Sequence, residues 1–132
     1  MNYLLDTHAW VWWNAVPEKI SSRVRETFAN LRSEEQIYLS AISVWEVAKL
    51  VEKGRLKLGA NVDTWIQEAL EMPRLQISPL TPVISIESTR LPQPFHDDPA
   101  DQIIVATARL HDLTIITKDK EIQAYSHVRV IW

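Results

Sequence analysis

Short apolar runs alternate along the chain with longer segments in which apolar side chains recur at helical spacing. The runs have the length and composition of buried strands, and the segments between them predict helices. The predicted strands are residues 2–5, 37–39, 75–78, 113–117 and 128–132. Strands that alternate with helices are typical of a parallel sheet covered on both sides. The prediction is therefore an α/β fold with a mainly parallel central sheet flanked by helices on both faces.

Capping and stop signals set the expected ends of the helices. The first helix ends before Pro17, and residues 18–32 have the apolar spacing of one amphipathic helix. Ser40 is a predicted N-cap, and Gly54 follows the end of the helix that Ser40 starts. The other predicted helices span residues 62–71, 81–91, 99 to about 111, and 120–126.

Composition limits the class of protein. A chain of 132 residues with 46% hydrophobic residues is enough for one compact domain, predicted as residues 1–132. The absence of cysteine excludes disulfides and thiolate-bound metals and favours a reducing cytoplasm. The first apolar run is broken by Asp6, so it predicts neither a signal peptide nor a membrane span. The expected location is the cytoplasm, without membrane association.

The net charge neither favours nor excludes a nucleic-acid substrate. The formal charge of −3, from 17 acidic and 14 basic side chains, argues against a protein that coats nucleic acid with a broadly basic surface. If five of the acids share one site, however, the remaining surface carries 12 acidic and 14 basic side chains. A polyanionic substrate is therefore still compatible with the composition.

Aspartate is a favoured helix cap, so capping is one explanation for Asp6, Asp98, Asp101 and Asp119, but it does not explain Glu46. Asp6 and Asp119 each follow a predicted strand, and the carboxyl ends of parallel strands form one rim where ligands bind. Asp98 and Asp101 can be interpreted as a capping box at the start of a helix. Glu46 lies two turns inside its helix among apolar neighbours, where no cap is needed. A pair with Lys49 is the alternative structural explanation for Glu46.

Convergence of Asp6, Glu46, Asp101 and Asp119 would require cations or bound protons to offset the charge, and a divalent metal is the simpler solution. Two carboxylates about 5 Å apart repel by roughly 3 kcal/mol at an effective dielectric near 20, so four of them cannot all stay ionised unaided. Oxygen ligands suit Mg²⁺ or Mn²⁺. The lack of cysteine and the absence of paired spacing among the four histidines disfavour zinc.

Four motifs carry a family resemblance. The segments LLDTHAW, SAISVWEVA, DPADQIIVATA and TIITKD resemble, in order, the four acidic motifs of PIN-domain ribonucleases, and VapC-type toxins of bacterial toxin–antitoxin pairs in particular. The resemblance covers essentially the whole chain. It implies a PIN-like fold and Mg²⁺-dependent endonucleolytic cleavage of RNA phosphodiesters, with Mn²⁺ as a possible substitute.

The resemblance also assigns residues. Asp6, Glu46, Asp101 and Asp119 match the catalytic and metal-binding acidic quartet, and one or two ions are both compatible with it. Thr117 matches a hydroxyl residue that often supports the last aspartate. Thr7 and Asp98 are further supporting candidates. Gln102 is the one departure, because relatives commonly have arginine at that position.

Partners follow from the same resemblance. Relatives bind an antitoxin whose segment covers the site, and toxins of this kind commonly form homodimers. Trp12 and Trp13 point about 100° apart on one helix, which predicts a second covered side and hence a partner surface.

Two other functions fit parts of the pattern. A non-catalytic PIN-like module that binds RNA or protein would be expected to lack one acid of the quartet, whereas this chain has all four. A receiver-type phospho-acceptor domain also gathers carboxylates and Mg²⁺ at a sheet rim, but it needs adjacent acids after its first strand. Here that position is the single acid of DTH.

Overall fold

The computed structural model describes residues 1–132 and contains one sheet of five strands. Every neighbouring pair is parallel, and the order across the sheet is β3-β2-β1-β4-β5. The prediction of an α/β fold with a parallel central sheet is confirmed. The strands are β1 (Asn2–Leu5), β2 (Ile37–Ser40), β3 (Leu75–Ser78), β4 (Leu113–Ile116) and β5 (Arg129–Ile131).

Helices cover both faces of the sheet. The α-helices are α1 (Thr7–Ala15), α2 (Ser22–Ala29), α3 (Ala41–Glu52), α4 (Val62–Ala69), α5 (Pro82–Glu87), α6 (Pro99–His111) and α7 (Lys120–Ala124), with a short 3₁₀ helix at Pro17–Lys19. None of them combines the length and the apolar character needed to cross a lipid bilayer.

Two hydrophobic cores lie on opposite faces of the sheet. In β1, Tyr3 and Leu5 point into the core built with α1, α2 and α4, whereas Leu4 points into the core built with α5, α6 and α7. Ile116 and Ile115 of β4 divide in the same way. The alternation follows from the two-residue period of a strand, and it leaves β1 buried on both sides.

Local signals set most helix ends as predicted. The Ser40 hydroxyl accepts the Ile42 N–H and starts α3. Gly54 follows the C-cap of α3 at φ +71°, a left-handed conformation that glycine adopts without strain. The Asp98 carboxylate accepts the Asp101 N–H and starts α6 at Pro99, so the predicted boundaries of that helix are confirmed.

The predicted helix over residues 18–32 is wrong in extent. The chain forms a 3₁₀ turn at Pro17–Lys19, breaks at Ile20, and restarts as α2 because the Ser21 hydroxyl accepts the Val24 N–H. The helix ends at Ala29, so Leu31 packs against the core from outside it. The apolar spacing therefore spans two short helices.

The paired tryptophans of α1 are covered by the chain itself. Trp12 packs near Trp132, with ring centroids 5.8 Å apart, and Trp13 packs near Phe28 at 5.0 Å. Both are partly buried against the first core. The inference that this pair requires a partner surface is not supported, because aromatic residues from elsewhere in the chain cover both sides. The exposed tryptophan is Trp45, at 56%.

Candidate active site

Asp6 stands at the carboxyl end of the central strand and is almost completely buried. It follows β1, caps α1, and is 3% exposed. Its Oδ1 accepts the Thr7 N–H at 2.8 Å, and its Oδ2 accepts the Thr117 hydroxyl at 2.6 Å. The Nδ1 atom of His8 lies 3.3 Å from the same Oδ2. A buried carboxylate needs such donors, and here Thr7 and Thr117 supply them, with the His8 imidazole close by.

Thr117 and His8 join the first acidic segment to the last. The Thr117 hydroxyl gives its proton to Asp6, and its oxygen accepts the Asp119 N–H at 3.0 Å. The expected support of the last aspartate by Thr117 therefore runs through the Asp119 backbone, and the side-chain bond goes to the first aspartate instead. His8 Nε2 accepts the Lys118 N–H at 3.1 Å, so the Nδ1 proton faces Asp6.

Glu46 reaches the cleft from α3. The Thr7 hydroxyl lies 2.5 Å from Glu46 Oε1 and 2.8 Å from the hydroxyl oxygen of the fully buried Ser43. Because one hydroxyl has one proton, Thr7 donates to Glu46 and accepts from Ser43. Lys49 contacts Glu52 at 2.7 Å, so the alternative in which Lys49 pairs with Glu46 is wrong.

Burial and neighbouring acids act together on Glu46. Loss of hydration raises the pKa of its carboxyl group above the ordinary value. The hydrogen bond from Thr7 opposes the rise, and the charges of Asp6 and Asp98 add to it. Glu46 is therefore a partly desolvated acid with one good donor and negative neighbours.

Asp101 is the most perturbed acid of the protein. Burial, followed by the charges of Asp6, Asp98, Asp119 and Glu46, raises the pKa of its carboxyl group from 3.8 to about 8. The only neighbouring side chain that can carry a positive charge is the imidazole of His96. No arginine or lysine forms an ion pair with Asp101.

His96 lies between two acids without a well-formed hydrogen bond. Its Nε2 is 3.2 Å from Asp101 Oδ2 and 3.2 Å from Glu121 Oε2, yet this buried atom has no partner at hydrogen-bonding angles. The imidazole is therefore close to both carboxylates, but Nε2 is not aimed at either oxygen and forms no hydrogen bond with them. The Gln102 amide donates to the His96 carbonyl at 3.1 Å, so this side chain is already hydrogen-bonded within the protein.

Asp119 completes the set. It follows the loop after β4 and caps α7, with Oδ1 accepting the N–H groups of Glu121 at 2.8 Å and Ile122 at 3.1 Å. The capping interpretation is thus correct for Asp119, as it is for Asp6 and Asp98. Capping and membership of the site coexist, because one oxygen can cap while the carboxylate faces the cleft.

The four predicted quartet acids and Asp98 line one cleft. Its volume is about 310 Å³. The lining residues are Asp6, Thr7, His8, Val11, Trp12, Glu46, Leu50, Leu56, Asp98, Asp101 and Asp119, with no lysine or arginine among them. A larger cavity of about 400 Å³ lies at the opposite ends of β4 and β5, where Arg129 is already bonded to Asp112. That cavity has no comparable set of acids.

The donor set suits a hard divalent cation. The acidic side chains of the cleft offer carboxylate oxygens, which are the ligands preferred by Mg²⁺ and Mn²⁺. No three acidic or histidine side chains are close enough together to form a ready-made set of metal ligands. The carboxylates share a cleft but stand apart, as expected for like charges with no positive group between them.

Known proteins resemble this chain in sequence and in fold. The family model described as "PIN domain" matches residues 3–128. The chain belongs to the PIN domain family. "Ribonuclease VapC22" of Mycobacterium tuberculosis is 32% identical to it over 128 residues, which is 97% of this chain and 95% of that protein. The family resemblance carried by the four motifs is confirmed.

Solved structures of PIN domain relatives share the fold. FitAcB from Neisseria gonorrhoeae is 27% identical, with a TM-score of 0.65, and the match covers 100% of this chain and 97% of that chain. VapBC2 from Rickettsia felis, bound to a DNA fragment from their promoter, has a TM-score of 0.71 at 18% identity and covers 99% and 98%. The second likeness concerns the fold alone.

Three polar residues of the site were not singled out for the roles they have here. Ser43 supports Thr7, His8 contacts Asp6, and His96 contacts Asp101. The signal for Ser43 was a serine three residues before Glu46 in an otherwise apolar helix. Nothing in the spacing of the two histidines relates them to the acids.

Proposed function

We propose that this PIN domain protein is a divalent-metal-dependent endoribonuclease and the toxin of a toxin–antitoxin pair, acting in the cytoplasm. The observation that carries the proposal is the cleft lined by Asp6, Glu46, Asp101 and Asp119 with no lysine or arginine among its lining residues. The rise in the pKa of Asp101 to about 8 supports it, since uncompensated negative charge is what a bound cation relieves. The similarity to a protein named as a ribonuclease supports the choice of RNA.

The residues would divide the work as follows. Asp6, Glu46, Asp101 and Asp119 would hold Mg²⁺, or Mn²⁺ in its place, after modest side-chain rotations that bring their oxygens closer. When bound, the ion lowers the pKa of a coordinated water and offsets charge on the phosphate. Thr7 orients Glu46 by donating to Oε1, and Thr117 orients Asp6 by donating to Oδ2.

The complete quartet favours catalysis over the alternatives. A non-catalytic binding module has no need to bury a carboxylate at 3% exposure and surround it with donors, as occurs at Asp6. A receiver-type domain would place adjacent acids after β1, where the chain has Asp6 followed by Thr7.

Two protein partners belong to the proposal. The similarity to the VapBC complexes supports an antitoxin as one of them. The exposed Trp45 lies in a groove with Ile42 and Asp98 beside the acidic cleft, where an antitoxin segment would reach the site. A homodimer is supported by exposed apolar side chains on and before α5, namely Leu80, Val83 and Ile86. Light scattering of the purified protein tests the dimer.

Cleavage of single-stranded RNA by the purified chain tests the activity. We expect cleavage with Mg²⁺ or Mn²⁺ and none with EDTA. Glu46→Gln should keep the hydrogen bond from Thr7, remove a repulsive charge, leave the metal-free protein at least as stable, and weaken both Mn²⁺ binding and cleavage. The matched control is Glu52→Gln, an exposed acid of the same helix that pairs with Lys49.

Four outcomes would count against the proposal. Cleavage that is undiminished by EDTA would exclude the metal. Full activity of Glu46→Gln would remove Glu46 from the site, and equal losses in the Glu52 control would point to a general charge effect. Absence of cleavage across varied RNA sequences, in a folded protein that binds Mn²⁺, would argue against the ribonuclease assignment.

A further inference from the structure

Two lysines from separate segments meet at one tryptophan on the wall of the acidic cleft. The Lys19 ammonium lies 5.1 Å from the centroid of the Trp12 ring, and the Lys118 ammonium lies 5.8 Å from it. Trp12 itself lines the cleft together with His8 and Asp119. We define Trp12, Lys19 and Lys118 as the basic rim.

The basic rim is placed by the fold. Lys118 stands between Thr117 and Asp119, and its N–H donates to His8, which fixes this loop against α1. Lys19 ends the 3₁₀ turn that follows α1. The two ammonium groups therefore approach the same ring from segments about a hundred residues apart in sequence, next to the acids of the site.

Neither lysine has an acidic partner, which is true of most basic side chains in this protein. Among the lysines and arginines, ion pairs form at Arg32, Lys49, Arg90 and Arg129. What distinguishes Lys19 and Lys118 is their place against Trp12, which lines the acidic cleft and attracts both ammonium groups. A phosphate that binds there meets two positive charges without displacing a carboxylate.

We infer that the basic rim binds the phosphate backbone of a single RNA strand next to the nucleotides that enter the acidic cleft. This inference rests on the proposed ribonuclease function. Lysine ammonium groups bind phosphate as point charges, and the Trp12 ring keeps these two at the edge of the cleft. The rim thus supplies the positive potential that the cleft lacks, so a polyanion is held by one part of the site while the carboxylates act in the other.

Binding of RNA without metal tests the rim separately from catalysis. The parent protein carries Asp101→Asn, which removes one negative charge from the cleft and prevents cleavage. Affinity for a fluorescent single-stranded RNA is measured by anisotropy in EDTA across a series of KCl concentrations. The test variant adds Lys19→Gln and Lys118→Gln; the charge-matched control adds Arg90→Gln and Arg109→Gln, which line a different cavity between α5 and α6.

Loss of two phosphate contacts should reduce the salt dependence. Each contact to a single strand contributes about 0.7 to the slope of log K against log salt, so the double lysine variant should lose about 1.4 of that slope and bind roughly tenfold more weakly at low salt. Each single variant should show about half the change. The arginine control should keep the parent slope, and all variants should keep the parent melting midpoint.

The outcomes separate the two proposals. If the unmutated protein cleaves RNA but the double lysine variant keeps the parent slope and affinity, the rim assignment is wrong. An acidic protein segment is then the alternative ligand of the two lysines. If the arginine control falls equally, the effect is one of net charge and the assignment is also wrong. If the unmutated protein does not cleave RNA but the parent binds it through the lysines, the rim stands and the ribonuclease function fails. If the parent binds no RNA at any salt concentration, the rim is overturned.

Discussion

Asp6 and Asp101 lie in the same cleft, yet the protein surrounds these two carboxylates in opposite ways. Asp6, the more buried of the two, has close donors from Thr7 and Thr117 and a neighbouring His8. Asp101 has only His96 nearby, at angles that do not form a hydrogen bond, and four acids raise its pKa.

The comparison distinguishes a part of the cleft in which hydrogen bonds compensate the buried charge from a part in which they do not. Around Asp6, the fold itself offsets the cost of burying a carboxylate, because the donors are Thr7 at the start of α1 and Thr117 directly after β4. Around Asp101, burial and repulsion are left uncompensated. The Asp6 half is therefore expected to matter for both stability and activity, and the Asp101 half chiefly for binding and chemistry.

The largest expected effect is the loss of cleavage in Asp101→Asn. The neutral side chain keeps the shape of the aspartate, and the Asp101 N–H that completes the cap of α6 is unaffected. We expect RNA cleavage to fall roughly 100-fold or more, the scale seen when an electrostatic contact to the transition state is removed. Cleavage rates with Mg²⁺ provide the measurement, and circular dichroism provides the check on folding. A variant that cleaves at the normal rate would reduce Asp101 to a helix residue.

The second effect is a dependence of stability on pH. From about pH 4 to about pH 8 an unfolded chain has lost the Asp101 proton while the folded chain keeps it. Stability of the metal-free protein should therefore fall as pH rises through this interval and level off above about pH 8. Melting midpoints of the unmutated protein and of Asp101→Asn between pH 4 and 9 measure it. Parallel curves for the two proteins would contradict the raised pKa of Asp101.

A smaller effect is expected in the Asp6 half. Thr117→Val removes the hydroxyl that donates to the buried Oδ2 of Asp6, and an unsatisfied buried acceptor costs about 1–3 kcal/mol. Thr117→Ser is the matched control because it keeps the hydroxyl. Urea unfolding without metal measures the difference, and equal stabilities of the two variants would show that Asp6 does not depend on this donor.

The smallest effect concerns Asp98, the exposed cap between the two halves. Asp98→Ala removes the acceptor for the Asp101 N–H and should cost about 1 kcal/mol. Asp98→Asn keeps a capping oxygen while removing the charge that raises the pKa of Asp101 and Glu46, so it should unfold at the same or a higher urea concentration. If Ala and Asn behave alike, the cap contributes nothing measurable.

Sequence patterns predicted the elements whose signals are local. The bounds of α6 follow from Asp98, Pro99 and apolar spacing, all within one segment. The helix over residues 18–32 was predicted wrongly because Ser21 supplied a second start inside a continuous apolar period. Lys49 had Glu46 and Glu52 at equal distance along the helix, and the sequence contains nothing that chooses between them.

The acids of the site were predictable by type and the contacts between them were not. Glu46 stood out because an acid inside an apolar helix has no structural role of its own. The bond between Thr117 and Asp6 joins residues 111 positions apart, and Ser43 reaches Thr7 across 36 positions. Such pairs depend on strand order and register, which no local pattern encodes.

The central position of β1 has a consequence for the protein as it leaves the ribosome. Its neighbours in the sheet are β2, at residues 37–40, and β4, at residues 113–116. A nascent chain that has not yet delivered β4 has β1 open along one edge and Asp6 without Thr117. Contacts so distant in sequence form late in folding. Translation that stops before β4 therefore yields a polypeptide that lacks Thr117, Asp119 and hence the complete cleft, so we expect incomplete products to have no ribonuclease activity.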